Sequence, residues 1–101
     1  MRPAKLEGEP RAAALASLLA AGWTEAEDRD ALIKRFVFRD FSEAFGWMTR
    51  VAMVAETLDH HPEWSNVHRA VEVELTTHDA GGVTGLDVEM AAAMDRLAGL
   101  A

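Results

Sequence analysis

Apolar residues recur at spacings of three and four through Phe41, Ala44, Phe45, Met48, Val51, Ala52, Ala55 and Leu58. Such a stripe is the core-facing side of an α-helix, and it commits the chain to a second layer that covers it. Asp40 or Ser42 supplies the N-terminal cap. At the other end Pro62 disfavours helical dihedrals at His61 on steric grounds, so the helix must finish near Asp59 or His60. Trp47 and Val54 fall outside the stripe, on one side of the helix, where they face the margin of a sheet or another subunit.

The covering layer is legible on both sides of this helix. Val71, Val73, Leu75 and Thr77 alternate with Glu72, Glu74, Thr76 and His78, the pattern of a strand buried on one face and wet on the other. Residues 32–39 also read as a strand, with Phe36 and Phe38 on one face and Arg35, Val37 and Arg39 on the other. Weaker strand signals lie at residues 23–30, leading to a turn at "DRDA", and at residues 64–68, where the junction Arg69-Ala70 is a poor turn by composition. A first helix is predicted over residues 10–21, with Pro10 at its start, Gly22 past its end and Leu15, Leu18 and Leu19 on one side. The "DAGG" at 79–82 breaks the strand pattern. Thr84 and Asp87 then form a capping box with Asp in place of the usual Glu, opening a last helix with Leu86, Met90, Ala93, Met94 and Leu97 in a stripe. The order helix, two strands, helix, one or two strands, helix predicts an α+β fold with helices packed on an antiparallel sheet.

At 101 residues, 50% hydrophobic and 27% charged, the chain has the size of one globular domain, taken as residues 1–101, and no room for a second core. It has no cysteine, which removes disulfides, thiolate metal sites and a cysteine nucleophile. A net charge of -7 with no Lys/Arg cluster argues against direct binding to a phosphate backbone. The start lacks the apolar segment of a secretory signal, and the longest apolar run, residues 12–21, is too short to cross a bilayer, so a cytoplasmic protein is expected.

Only four histidines are present, and two of them are adjacent in "ETLDHHPEW". Glu56 and His60 are four apart and so share a helix face. His61 follows where the helix stops, and His78 stands at the end of the best strand. A helix end and a strand end that meet at one rim would gather three imidazoles and a carboxylate around one cleft. Imidazole, with an unperturbed pKa of roughly 6.5, gives and takes protons near neutral pH, and neighbours such as Glu56 and Asp59 can tune several of them apart. Spacing alone leaves three readings open: proton transfer, a metal site, and histidines that only complement a helix dipole. Against metal, adjacent histidines converge on one ion only with backbone contortion, and the spacing matches no zinc pattern. "AGG" at 80–82 lacks the Lys and spacing of a phosphate loop. Trp64, just behind the histidines, suits either stacking on a flat heteroaromatic ligand or core packing.

The run Glu56 to Asp87, with Glu56, His60, His61, Pro62, Trp64, Asn66, Val67, Thr77, His78 and Asp79 in order, closely resembles the pterin-4a-carbinolamine dehydratase family. The resemblance extends upstream through "FVFRDFSEAFGWMTRVA" and covers roughly residues 22–98. It implies a four-stranded antiparallel sheet with helices on one face, in the order α-β-β-α-β-β-α, and two separate strands within residues 64–77. It implies dehydration of 4a-hydroxytetrahydrobiopterin, or a related 4a-hydroxytetrahydropterin, to the quinonoid dihydropterin. That step recycles the cofactor of an aromatic amino acid hydroxylase and needs neither metal nor cofactor of its own. By the same resemblance His60, His61 and His78 carry acid/base catalysis, Glu56 orients or charge-tunes an imidazole, and Asp59, Pro62, Trp64 and Thr77 hold the pterin. Homodimers or homotetramers are implied, for which the flank of Trp47 and Val54 would serve. Many members carry Tyr where His68 stands here, a departure outside the catalytic motif. Some members of the wider family act as partners, one stabilising dimers of a homeodomain transcription factor and others assisting protein assembly. A non-catalytic interaction module is therefore the rival reading, and the intact Glu and histidines favour the enzyme.

Overall fold

The structure is a computed structural model that describes residues 3–99; the ends of the expected 1–101 domain lie outside the described residues. Its elements are α1 (Gly8–Ala20), β1 (Thr24–Glu25), β2 (Leu32–Val37), α2 (Phe41–Leu58), β3 (Glu63–Val67), β4 (Ala70–Leu75), a 3-10 turn (His78–Ala80) and α3 (Gly85–Leu97). The strands form one antiparallel sheet in the order β1-β2-β4-β3. Register places Leu32 opposite Leu75, Phe36 opposite Val71 and Trp64 opposite Val73, so apolar side chains meet on one face. Buried residues of all three helices join that face in one core cluster. On the opposite face Val37 is half exposed and Glu72 is exposed, so the helices cover one side only. The α+β class and the order of elements follow the sequence reading. Among the described residues no helix is long and apolar enough to cross a membrane.

The stripe of α2 is shifted from the expected one, whereas in α3 Met90, Ala93 and Met94 are buried as expected and Leu97 packs on the core. In α2 the buried residues are Ala44, Trp47, Val51 and Ala55. Phe41 and Phe45 are more than half exposed and Ala52 is exposed. The physical reason is Trp47: its ring packs 4.6 Å from Phe36 and 5.1 Å from Phe38, and its Nε1 donates to the Met94 carbonyl at 3.0 Å. The small Ala44 and Ala55 on the same face let α2 approach its neighbours. Trp47 is fully buried and so not open to another subunit, while Val54 is partly buried against the core.

Smaller corrections follow the same lines. α1 begins two residues before Pro10, which occupies the first turn, where a missing N–H costs no helix hydrogen bond. Leu15 and Leu18 are buried, but Leu19 lies on the solvent side at 43% exposure. β2 ends at Val37, while Phe38 still packs on the core and donates its N–H to Arg69 O. β3 and β4 are separate strands joined by a two-residue turn, His68-Arg69, in which His68 adopts a φ of 55°.

Candidate active site

The site starts from how α2 ends. Asp59 takes the left-handed conformation, φ 50° and ψ 44°; its N–H donates to Glu56 O at 3.3 Å, and the next N–H, of His60, donates to Ala55 O at 3.0 Å. This pair of bonds is a Schellman closure, which satisfies the last carbonyls while reversing the chain direction. It sends the two adjacent imidazoles apart. His60 turns inward, 5% exposed, and His61 stays at the surface.

Their partners differ from the expected ones as a result. Glu56 does not face His60 across a helix turn; its Oε2 lies 2.6 Å from Nε2 of His61, and both groups are largely solvated. His60 Nε2 instead lies 2.6 Å from Oδ1 of Asp87, which is fully buried at the start of α3. Two histidine–carboxylate pairs thus stand side by side, one wet and one dry.

The strand end supplies the opposite wall. Past β4, Thr77 pairs with Gly82 across the 3-10 turn, and Gly81 closes that turn with a φ of 76°, a left-handed position that suits glycine. His78 and Asp79 are exposed on the turn. Thr77 points inward, its hydroxyl 2.7 Å from both Thr84 Oγ1 and Asp87 Oδ2. The Thr84 N–H donates to the same Oδ2 at 2.9 Å, and the predicted capping box is present.

Between these walls lies an open cleft of about 200 Å³ lined by His60, His61, Glu63, Thr76, Thr77, His78 and Asp79. It brings together His60, His61, His78 and Thr77 of the expected set. Glu56 reaches it through His61. Asp59 and Pro62 flank the histidines along the chain without lining the cleft, and Trp64 lies half-buried 6.1 Å from Trp47 on the core side of β3. A larger concavity, about 580 Å³, runs over the outer face of the sheet beside Ile33, Arg35 and Glu72 and contains no histidine. The smaller cleft gathers His60, His61 and His78, side chains able to exchange protons near neutral pH, and it is the candidate site for that reason.

Glu63, Thr76, Asp79 and Asp87 belong to the site or its support although sequence reasoning gave them no role in it. For Asp87 the available signal was the short Asp in the capping box. Glu63 is anchored from a distance: Arg29 Nη2 bonds it at 2.7 Å while Nε bonds Glu74, and these hydrogen bonds, to Glu63 first, raise the Arg29 guanidinium above its ordinary pKa. Among the described residues no three His, Asp or Glu side chains are grouped as ligands of a metal ion would be. What the cleft can do is move protons between imidazoles and a bound molecule.

Residues 4–97 match the sequence profile of the family described as Pterin 4 alpha carbinolamine dehydratase. A protein of Jannaschia sp. (strain CCS1) that carries the pterin-4-alpha-carbinolamine dehydratase name is 60% identical over 94 residues, 93% of this chain and 96% of its own. One of Rhodopseudomonas palustris (strain HaA2) with the same name is 62% identical over 95 residues, 94% of this chain and 92% of its own. The crystal structure of a transcriptional coactivator/pterin dehydratase from Brucella Melitensis is similar with a TM-score of 0.87 and 45% identity, covering 93% of this chain and 98% of that one. A pterin dehydratase-like protein described as a RuBisCO assembly factor in the alpha-carboxysome shares the fold at a TM-score of 0.69 and 23% identity, over 79% of this chain and 93% of that one.

Proposed function

The chain belongs to the pterin-4a-carbinolamine dehydratase family, a family of hydro-lyases, and from that premise we propose that it dehydrates 4a-hydroxytetrahydrobiopterin to the quinonoid dihydropterin by histidine acid/base catalysis, recycling the cofactor of an aromatic amino acid hydroxylase. The observation that carries this reading is the pair of adjacent imidazoles split by the Schellman turn, each with its own carboxylate, facing one cleft with His78.

Loss of water from the carbinolamine breaks the bond between C4a and its hydroxyl oxygen, and the hydroxyl needs a proton to leave as water. The N5–H proton departs in turn, and its electron pair completes the C4a=N5 double bond. One proton is given and one is taken, so the reaction needs an acid and a base but no redox partner. We assign both tasks to His60, His61 and His78, which line the cleft. In this reading Glu56 holds His61, and Thr77, Asp59, Pro62 and Trp64 contribute to holding the pterin, with Thr77 alone of these on the cleft wall.

The test is the absorbance decay of freshly generated 4a-hydroxytetrahydropterin with and without the protein, corrected for spontaneous dehydration. Strong acceleration is expected, and His61→Ala should lower turnover by roughly 10²- to 10⁴-fold with the fold intact. No acceleration from a folded sample would overturn the dehydratase reading in favour of the interaction module, and near-normal turnover in His61→Ala would remove His61 from the chemistry.

A further inference from the structure

Asp87 receives more hydrogen bonds than a helix cap requires. A capping-box carboxylate at this position reaches back to one backbone N–H. Here Oδ2 accepts from both the Thr84 N–H and the Thr77 hydroxyl, and Oδ1 faces Nε2 of His60. The proton directions follow from counting. The Thr77 hydroxyl has one hydrogen, given to Asp87, so the Thr84 hydroxyl donates to Thr77 while accepting from the Leu86 N–H. Every donor in the chain points toward Asp87, and an ionised carboxylate there accepts from His60 as well.

The other ring nitrogen has the opposite surroundings. Among the described residues His60 Nδ1 has no hydrogen-bond partner, and no buried side-chain nitrogen or oxygen there lacks one, so Nδ1 is reached by solvent. His60 lines the cleft, and Nδ1 is its ring nitrogen left unengaged by Asp87. We propose that Asp87 is a positioning residue that fixes His60 as its Nε2–H tautomer, so that any proton His60 exchanges with substrate passes through Nδ1. This rests on the dehydratase reading for its chemistry and on the geometry alone for the tautomer. It also accounts for Asp in place of Glu in the capping box: a chain longer by one methylene would drive the carboxylate into the buried ring.

Asp87→Asn separates positioning from capping. Two donors converge on the Oδ2 position, so the amide oxygen takes that place and the Nδ2 amide turns its own donor toward His60 Nε2. The cap bond survives, but the ring must carry its proton on Nδ1, and the lone pair of that nitrogen is lost. Long-range ¹H–¹⁵N correlation on the ¹⁵N-histidine protein distinguishes the two tautomers of neutral His60. The expected result is Nε2–H in the wild type, Nδ1–H in Asp87→Asn, and a kcat reduced roughly 10²- to 10⁴-fold with KM little changed. Nδ1–H in the wild type overturns the proposal, and that spectrum needs no variant to fold. Wild-type kcat in an Asp87→Asn protein whose tautomer has inverted also overturns it. If the wild type shows the Nε2–H tautomer but does not dehydrate the pterin, the dehydratase reading fails while the tautomer assignment stands.

Discussion

Lys34 sits on the core-facing side of β2 between Leu32 and Phe36, where alternation calls for an apolar residue. Its Nζ lies 2.7 Å from Asp95 Oδ1 and 2.8 Å from the Ala21 carbonyl, over the ring of Phe36 at 4.9 Å. Trp23 Nε1 holds the other Asp95 oxygen at 3.0 Å. Lys34→Met keeps the length and apolar stem of the side chain and removes only the ammonium. A solvated ion pair broken this way would cost about 0–1 kcal/mol. The two side chains here are only 9% and 8% exposed, so the variant leaves a buried carboxylate with one partner, in the range of about 3–5 kcal/mol. At roughly 4–8 °C per kcal/mol for a chain of this size, Tm should fall by at least about 12 °C. Urea unfolding followed by tryptophan fluorescence should show a lower midpoint with an unchanged slope. Adding Asp95→Asn, which removes the uncompensated charge and retains an acceptor for Trp23, should recover part of the loss. A loss below about 1 kcal/mol for Lys34→Met would refute the reasoning, because the pair would then behave as if water reached it.

The αL position that ends α2 makes a second prediction independent of side-chain contacts: Asp59→Gly should be more stable than Asp59→Ala by about 1 kcal/mol in denaturant titration, since only the latter strains a Cβ there, and equal stabilities would argue against the left-handed turn. Gly82→Ala would place a Cβ 2.2 Å from Asp30 Oδ2 and 2.5 Å from Lys5 Cδ, and Arg11 holds Asp30 in place at 2.5 Å. A loss of roughly 1–3 kcal/mol is expected by the same titration. Wild-type stability would mean that Asp30 and Lys5 swing clear.

The elements whose burial is periodic and local were readable from the sequence. Val71, Val73, Leu75 and Thr77 are buried as the alternation required, and the Thr84 and Asp87 cap is present. Pro62 correctly stopped α2 near Asp59. What escaped depends on partners distant in the chain. The phase of α2 was set by Trp47 against the sheet and α3, which outweighs the pull of Phe41 and Phe45 on a stripe drawn from sequence. The hairpin turn escaped because His68 holds a conformation usually given to Gly or Asn, with Asn66 Nδ2 bracing the His68 and Ala70 carbonyls at 3.0 Å each. In the site, three histidines and a glutamate were legible as a set, but helical spacing paired Glu56 with the wrong one. A left-handed residue between them was needed to reverse the assignment, and an Asp at that position announces it weakly.

The bond between His60 and Asp87 also sets an order of assembly. All three cleft histidines are in place along the chain by residue 78, but the carboxylate that holds the buried one arrives nine residues later, on the first turn of α3. A chain growing from its N-terminus therefore possesses its imidazoles before it can orient them. The docking of the last helix both closes the core and gives His60 its partner.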